Sequence, residues 1–201
     1  LIEGAEPEEG AVLMDAVELA PDPATLFVSN SMPVRDLDRF GQPRPAELTV
    51  LGNRGASGID GITSTALGAG SATDGPLVLL TGDLAYYHDM NGLLAVERCN
   101  VDATVVCINN DGGGIFHLLP IESHDTFEEW FRTPHGLEFE HSAALYDLEF
   151  ARTDDREGFR ELYTDSLATG GTQVIEVVTD SDRNHADRTA VQEHVLEALS
   201  P

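Results

Sequence analysis

The sequence has no lysine. All eleven of its basic residues are arginine, set against thirty-six acids in 201 residues, and the formal net charge is −25. A surface this negative repels other polyanions, which excludes nucleic acid and anionic membranes as partners. Cysteine is nearly absent too. Cys99 and Cys107 stand alone, which rules out a disulfide framework and reads as two buried thiols in a reducing compartment. No apolar run approaches the roughly 18 residues of a membrane span, and no basic-then-apolar leader opens the chain. A cytoplasmic protein is the expectation. Zinc signatures are missing as well: His88, His117, His124, His135, His141, His185 and His194 fall in no H-E-x-x-H or C-x-x-C pattern. Without lysine there is no G-x-x-x-x-G-K-[ST] phosphate loop, and no clean G-x-G-x-x-G follows a strand.

The composition is otherwise that of a folded protein. Hydrophobic residues make up 41%, too many for a disordered chain and enough for one sizeable domain. The acids are spread along the chain rather than blocked into a tail. That distribution favours adaptation to a salt-rich cytoplasm, where screening tolerates self-repulsion, over an acidic functional patch. Leu1–Gly10 is an acidic stretch with Pro and Gly, as expected of a lead-in from a longer polypeptide. The division expected is an interdomain linker and lead-in helix over 1–20 and one domain over 21–201.

Apolar patterning predicts strands at Thr25–Ser29, Leu48–Leu51, Pro76–Thr81, Ala103–Asn109 and Gln173–Thr179. Helices are predicted at Gly61–Gly70, Asp89–Cys99, Thr126–Phe131, Ser142–Phe150, Arg156–Ala168 and His185–Leu199. The runs Leu77-Val78-Leu79-Leu80 and Thr104-Val105-Val106-Cys107-Ile108 lack in/out alternation, as strands buried on both faces do. Strand–helix alternation then gives an α/β fold, a doubly wound parallel sheet with helices on both faces. Ligands in such folds sit at the C-terminal strand ends.

The unusual residues fall at those ends. Thr81-Gly82-Asp83-Leu84 follows one buried strand, and some 27 positions later Asn109-Asn110-Asp111-Gly112-Gly113-Gly114 follows the next. A carboxylate and an amide supply the hard oxygens that Mg²⁺ takes, and a glycine-rich turn supplies bare N–H groups for phosphate. The pair reads either as a metal-bridged diphosphate clamp or as two ordinary α/β turns, in which Asp, Asn and Gly are common.

Gly-Asp-x followed at this interval by Asn-Asn resembles the signature of thiamine-diphosphate enzymes. Three further segments resemble one branch of them, the menaquinone-pathway carboligases or SEPHCHC synthases: Ser29-Asn30-Ser31-Met32-Pro33-Val34-Arg35-Asp36, Asn53 to Gly61, and Asn110 to Pro120. The likeness covers about residues 24–150 and is looser beyond. Leu84 departs from the small residue commonest at its position, a tolerance characteristic of this branch. The resemblance implies thiamine diphosphate and Mg²⁺ as cofactors, with Asp83, Asn110 and the Gly112 carbonyl as metal ligands. It places Gly82 and Leu84 against the diphosphate, Ile59 as an apolar wedge under the bent cofactor, and Ile115 and Phe116 along the apolar wall.

Leu119 would extend that wall over the acceptor. Ser31, Arg35 and Arg54 would take the distal carboxylate of 2-oxoglutarate, the two arginines by bidentate capture; their plain alternative is surface pairing with the abundant acids. His117 reads as structural, and Trp130 as packing a short helix over the site. The implied reaction decarboxylates 2-oxoglutarate and adds the succinyl-semialdehyde unit to isochorismate. The glutamate that activates the cofactor would lie on a separate pyrimidine-binding domain, so no catalytic residue is assigned to this chain, and it would be inactive alone. A homodimer or homotetramer is expected. Two other readings stay open: a domain of a sister thiamine enzyme (a 2-oxo-acid decarboxylase or an acetolactate-synthase-like protein) and a non-catalytic nucleotide-binding module.

Overall fold

A computed structural model describes residues 8–55 and 58–200. The acidic lead-in at residues 1–7, and Ala56 and Ser57 within the Asn53–Gly61 segment, lie outside the described residues. Six strands form one all-parallel sheet: β1 (Ala24–Val28), β2 (Leu48–Leu51), β3 (Leu77–Gly82), β4 (Ala103–Asn109), β5 (Glu149–Thr153) and β6 (Thr172–Val178). Their spatial order is β2-β1-β3-β4-β6-β5. The helices are α1 (Glu8–Leu19), α2 (Met32–Phe40), α3 (Ile62–Gly70), α4 (Asp83–Asp89), α5 (Ala95–Cys99), α6 (Glu140–Leu145), α7 (Arg156–Ala168) and α8 (Ser181–Leu199).

The central strands are apolar throughout because both faces are covered. Val78 and Leu80 of β3, with Val106 and Ile108 of β4, pack into a core completed by Leu13 and Ala16 of α1 and Phe159 and Tyr163 of α7. Leu77, Leu79, Val105 and Cys107 face the opposite core, with Ile62, Leu67 and Tyr86. Successive residues of a strand point to opposite faces, so a run without alternation is what two covered faces require. Helix α1 is integral to the first core. Its Asp15, fully buried, takes two bonds from Arg156 (2.7 and 2.8 Å) and one from Arg160 (2.5 Å).

Several local expectations are corrected. The helix expected over Ser142–Phe150 stops at Leu145, and the chain then enters the edge strand β5. Asp147 adopts φ 55° and the Leu148 N–H donates to the Ala143 carbonyl, a left-handed helix stop. Only Phe150 and Ala151 of β5's five residues are apolar and none of the five is fully buried, so the segment carries a weak strand signal. The helix expected over Asp89–Cys99 is broken into the end of α4, a 3₁₀ segment at Met90–Leu94, and α5. Helix α2 was not foreseen, although Pro33 in its first turn, where a missing N–H costs nothing, is a start signal. The short helix expected at Thr126–Phe131 is a π-turn over Glu128–Arg132. Cys107 is buried, but Cys99 is exposed at the end of α5.

Candidate functional site

Strand β1 leads through α2 to β2 on one side, while β3 and the later strands lie on the other. The chain therefore reverses direction across the sheet between β1 and β3, which opens a crevice at their C-terminal ends. A cavity of about 200 Å³ occupies it, lined by the ends of β1, β3 and β4. Gly82, Asp83, Leu84, Asn110, Gly112, Ile59, Ile115, Phe116 and Ser31 all contribute to that lining. Arg35, Arg54 and Leu119 do not. Arg35 is exposed and donates to the Ser31 carbonyl (2.5 Å). Arg54, also exposed, donates to Oδ1 of Asn30, a lining residue (3.2 Å). Leu119 is 48% exposed.

Asp83 is the first residue of α4, set immediately after β3. One carboxylate oxygen accepts the Leu84 N–H (2.6 Å); the other accepts the Gly112 N–H (2.8 Å) and lies 3.0 Å from His135 Nε2. His135 Nδ1 accepts the Leu137 N–H (3.0 Å), which puts the ring proton on Nε2 and makes it a donor to Asp83. Burial pushes the Asp83 carboxyl up from its ordinary value, and the bonds from Gly112, His135 and Leu84 oppose it. Asn110 is similarly enclosed. Its Nδ2 donates to Glu9 Oε1 (2.7 Å), but its Oδ1 is buried with no hydrogen-bond partner among the described residues.

The glycine turn beside it is held by shape. Gly112 sits at φ 138°, and a Cβ there would meet the Arg132 carbonyl oxygen at 2.2 Å. The Gly113 N–H donates to that same carbonyl (2.7 Å), so the turn is clamped against the Glu128–Arg132 segment. That segment covers the turn as expected of it. Trp130 does not contribute, being 68% exposed; Phe131 packs edge-on against Phe116 instead, with ring centroids 5.6 Å apart. Ser31 adopts φ 68°, uncommon for a residue with a side chain, at the point where β1 turns into α2 over the cavity.

Residues 40–177 match the family described as thiamine pyrophosphate enzyme, C-terminal TPP binding domain. The chain belongs to that family. It is similar to the 2-succinyl-5-enolpyruvyl-6-hydroxy-3-cyclohexene-1-carboxylate synthases of Natronomonas pharaonis (75% identical over 99% of this chain and 34% of the relative) and Haloarcula marismortui (70% over 96% and 32%). The chain thus spans about a third of the length of these curated relatives. Its fold is like that of benzoylformate decarboxylase from Polynucleobacter necessarius, with TM-score 0.69 at 19% identity over 86% of this chain and 33% of that one. The fold class expected from the sequence, the thiamine pyrophosphate enzyme diphosphate-binding domain, is the one observed.

Three residues at the site of this TPP-binding domain escaped sequence reasoning. His135 touches Asp83 from 52 positions away, carried by a loop that Asp111 fastens through the His135 and Gly136 N–H groups (2.9 and 2.7 Å). Glu9 reaches Asn110 from α1, 101 positions away, and Arg188 of α8 pairs with Glu9 and Asp36. Burial pushes the Glu9 carboxyl up, opposed first by Arg188. Burial also disfavours charge on Arg188, but its bonds to Asp36 and Glu9 outweigh it and hold the guanidinium charged. No spacing rule links such distant residues. Among the described residues no helix is long and apolar enough to cross a membrane, and no three His, Cys, Asp or Glu side chains gather as a metal cluster.

Proposed function

We propose that this chain is the diphosphate-holding half of a SEPHCHC synthase active site, binding thiamine diphosphate through Mg²⁺. The observation that carries the reading is the buried, partnerless Oδ1 of Asn110, which shares one cavity with the Asp83 carboxylate and the Gly112 turn. A buried acceptor left unpaired costs about 1–3 kcal/mol, and a cation removes that cost. Asp83, Asn110 Oδ1 and the Gly112 carbonyl offer three hard oxygens of the roughly six Mg²⁺ takes, leaving the rest to phosphate and water. Electrostatics favour the same arrangement. A diphosphate does not approach the buried carboxylates of Asp83 and Glu9 unless a cation stands between them.

When bound, thiamine diphosphate supplies the electron sink for decarboxylating a 2-oxo acid. This chain's part is to bind and orient. Of the residues lining the cavity, Gly82 and Leu84 would hold the diphosphate, Ile59 would support the cofactor, and Ile115 and Phe116 would keep water from it. Ser31 lies at the cavity wall, with Arg35 and Arg54 at its rim, and Leu119 beyond it. On this reading they take the distal carboxylate of 2-oxoglutarate and the isochorismate acceptor once a pyrimidine-binding domain closes the crevice in a dimer or tetramer. Identity of 75% to one such synthase supports this substrate pair over those of the sister enzymes. The test is turnover after joining or mixing the chain with a pyrimidine-binding domain. Isochorismate-dependent consumption of 2-oxoglutarate is expected, with pyruvate and benzoylformate ignored. Arg54→Lys should raise the 2-oxoglutarate KM about tenfold or more, from the loss of a charge-assisted bond of roughly 1.5–3 kcal/mol. Preference for benzoylformate, or an unchanged KM in the variant, contradicts the assignment.

A further inference from the structure

Glu9 has no part in the ligand set proposed above, yet its carboxylate is 2% exposed and held from every side. Oε1 accepts from Asn110 Nδ2 (2.7 Å) and, at 3.5 Å, from the Thr179 hydroxyl; Oε2 accepts from Arg188 Nη2 (3.3 Å). The Glu9 N–H donates to Asn184 Oδ1 (3.3 Å). Arg188 is itself fixed by two bonds to Asp36, one of them 2.6 Å. Helices α1, α2 and α8 thus converge to set one carboxylate against one amide.

The consequence follows from donor and acceptor chemistry. An asparagine amide has nearly the same shape either way round, so packing alone does not choose which end faces the cavity. A carboxylate only accepts. With Glu9 in place, the amino end of Asn110 must turn toward it and the oxygen must turn away. That oxygen is the buried atom without a partner. We propose that Glu9 is a positioning residue that selects the cation-binding orientation of Asn110. The proposal rests on the cation site described above. Glu9 acts on the metal through Asn110, and α1 is thereby part of the site.

Glu9→Gln separates this role from plain ion pairing. The variant is isosteric, but Arg188 still requires an acceptor and takes the new carbonyl oxygen. The new amino group then faces Asn110, which turns its own oxygen to accept and presents Nδ2, a donor, to the cation. The assay is Mn²⁺ binding to the protein at saturating thiamine diphosphate, read from the free-ion electron paramagnetic resonance signal and independent of turnover. Glu9→Gln should weaken Mn²⁺ at least tenfold. The double change Glu9→Gln with Asn110→Asp restores one donor facing one acceptor and leaves an oxygen toward the cation; its affinity should return to within about threefold of the parent. Because the double variant carries the same Gln in the same packing, recovery also excludes misfolding as the cause of the single loss. Wild-type affinity in Glu9→Gln, or no recovery in the double variant, overturns the positioning role. Asp83→Ala is the control for the site itself. If it too binds Mn²⁺ normally, the cation site falls; if it does not, only the role of Glu9 does.

Discussion

Replacing Gly112 by alanine should collapse the proposed cation site through backbone geometry alone. The new methyl would stand 2.2 Å from the Arg132 carbonyl oxygen, and φ 138° is a conformation that side-chain-bearing residues rarely adopt. Relief requires the turn to swing away from the Glu128–Arg132 segment. That motion breaks the 2.7 Å bond from Gly113 and draws the Gly112 N–H off Asp83. Strain of about 1–3 kcal/mol and a lost hydrogen bond of about 0.5–1.5 kcal/mol together cost roughly 2–4 kcal/mol. At about 2–4 °C per kcal/mol for a domain of this size, Tm should fall by roughly 4–16 °C. Cation binding should fall with it, since Gly112 also places the Asp83 carboxylate. Gly136→Ala is the internal control: it too has positive φ (61°), but nothing lies within 4 Å of its Cβ position, so only the conformational cost of about 1–2 kcal/mol applies. Thermal melts and Mn²⁺ titrations of both variants decide it. A Gly112→Ala protein that melts within about 1 °C of the parent and keeps its affinity refutes the argument.

Other consequences can be read directly. Arg188→Met leaves Glu9 and Asp36 buried without their cation, which should cost about 3–5 kcal/mol in chemical denaturation. Burial already pushes Glu9 up; a raised folded-state pKa favours folding below the unfolded value and opposes it above the folded one. The deficit should therefore be small in mild acid and grow as pH rises toward neutral, and a deficit that grows on acidification contradicts the assignment. Thiol labelling of the native protein at pH 8 should modify Cys99 alone, because burial holds Cys107 protonated well above its ordinary range; a second equivalent should react only after unfolding, and two fast equivalents would refute the packing of β4. With a net charge of −25, stability should rise from low salt to molar KCl as self-repulsion is screened. A Tm independent of KCl would remove the case for a salt-rich cytoplasm.

Sequence revealed what chemistry demands locally and little of what distance assembles. That Asp83 and Asn110 share one cavity was legible because a carboxylate or amide at the end of a buried apolar strand is conspicuous within a dozen residues. The sheet itself was legible in Leu77–Leu80 and Thr104–Ile108, whose lack of alternation meets two covered faces. Glu9 was not: in a chain with thirty-six acids nothing marks this one as folding inward, along with buried Asp15, Asp36, Asp83 and Glu176, until α1 docks beside Asn110. His135 was one of seven histidines and acquires meaning only through the loop that Asp111 ties down. Strand β5 was hidden because an edge strand with partly exposed residues carries a weak apolar signal, and the left-handed Asp147 that ends α6 is a backbone choice that side-chain patterning does not encode.

Calorimetric titration decides whether this chain holds thiamine diphosphate through a divalent cation at Asp83 and Asn110. Thiamine diphosphate is titrated with and without Mg²⁺ into the protein completed by a pyrimidine-binding domain, and into its Asp83→Ala variant, with ADP as the competing ligand. Saturable binding that requires Mg²⁺, is lost in Asp83→Ala and exceeds that of ADP is the predicted result. Binding of equal strength without Mg²⁺, retention in the variant, or a preference for ADP would contradict it.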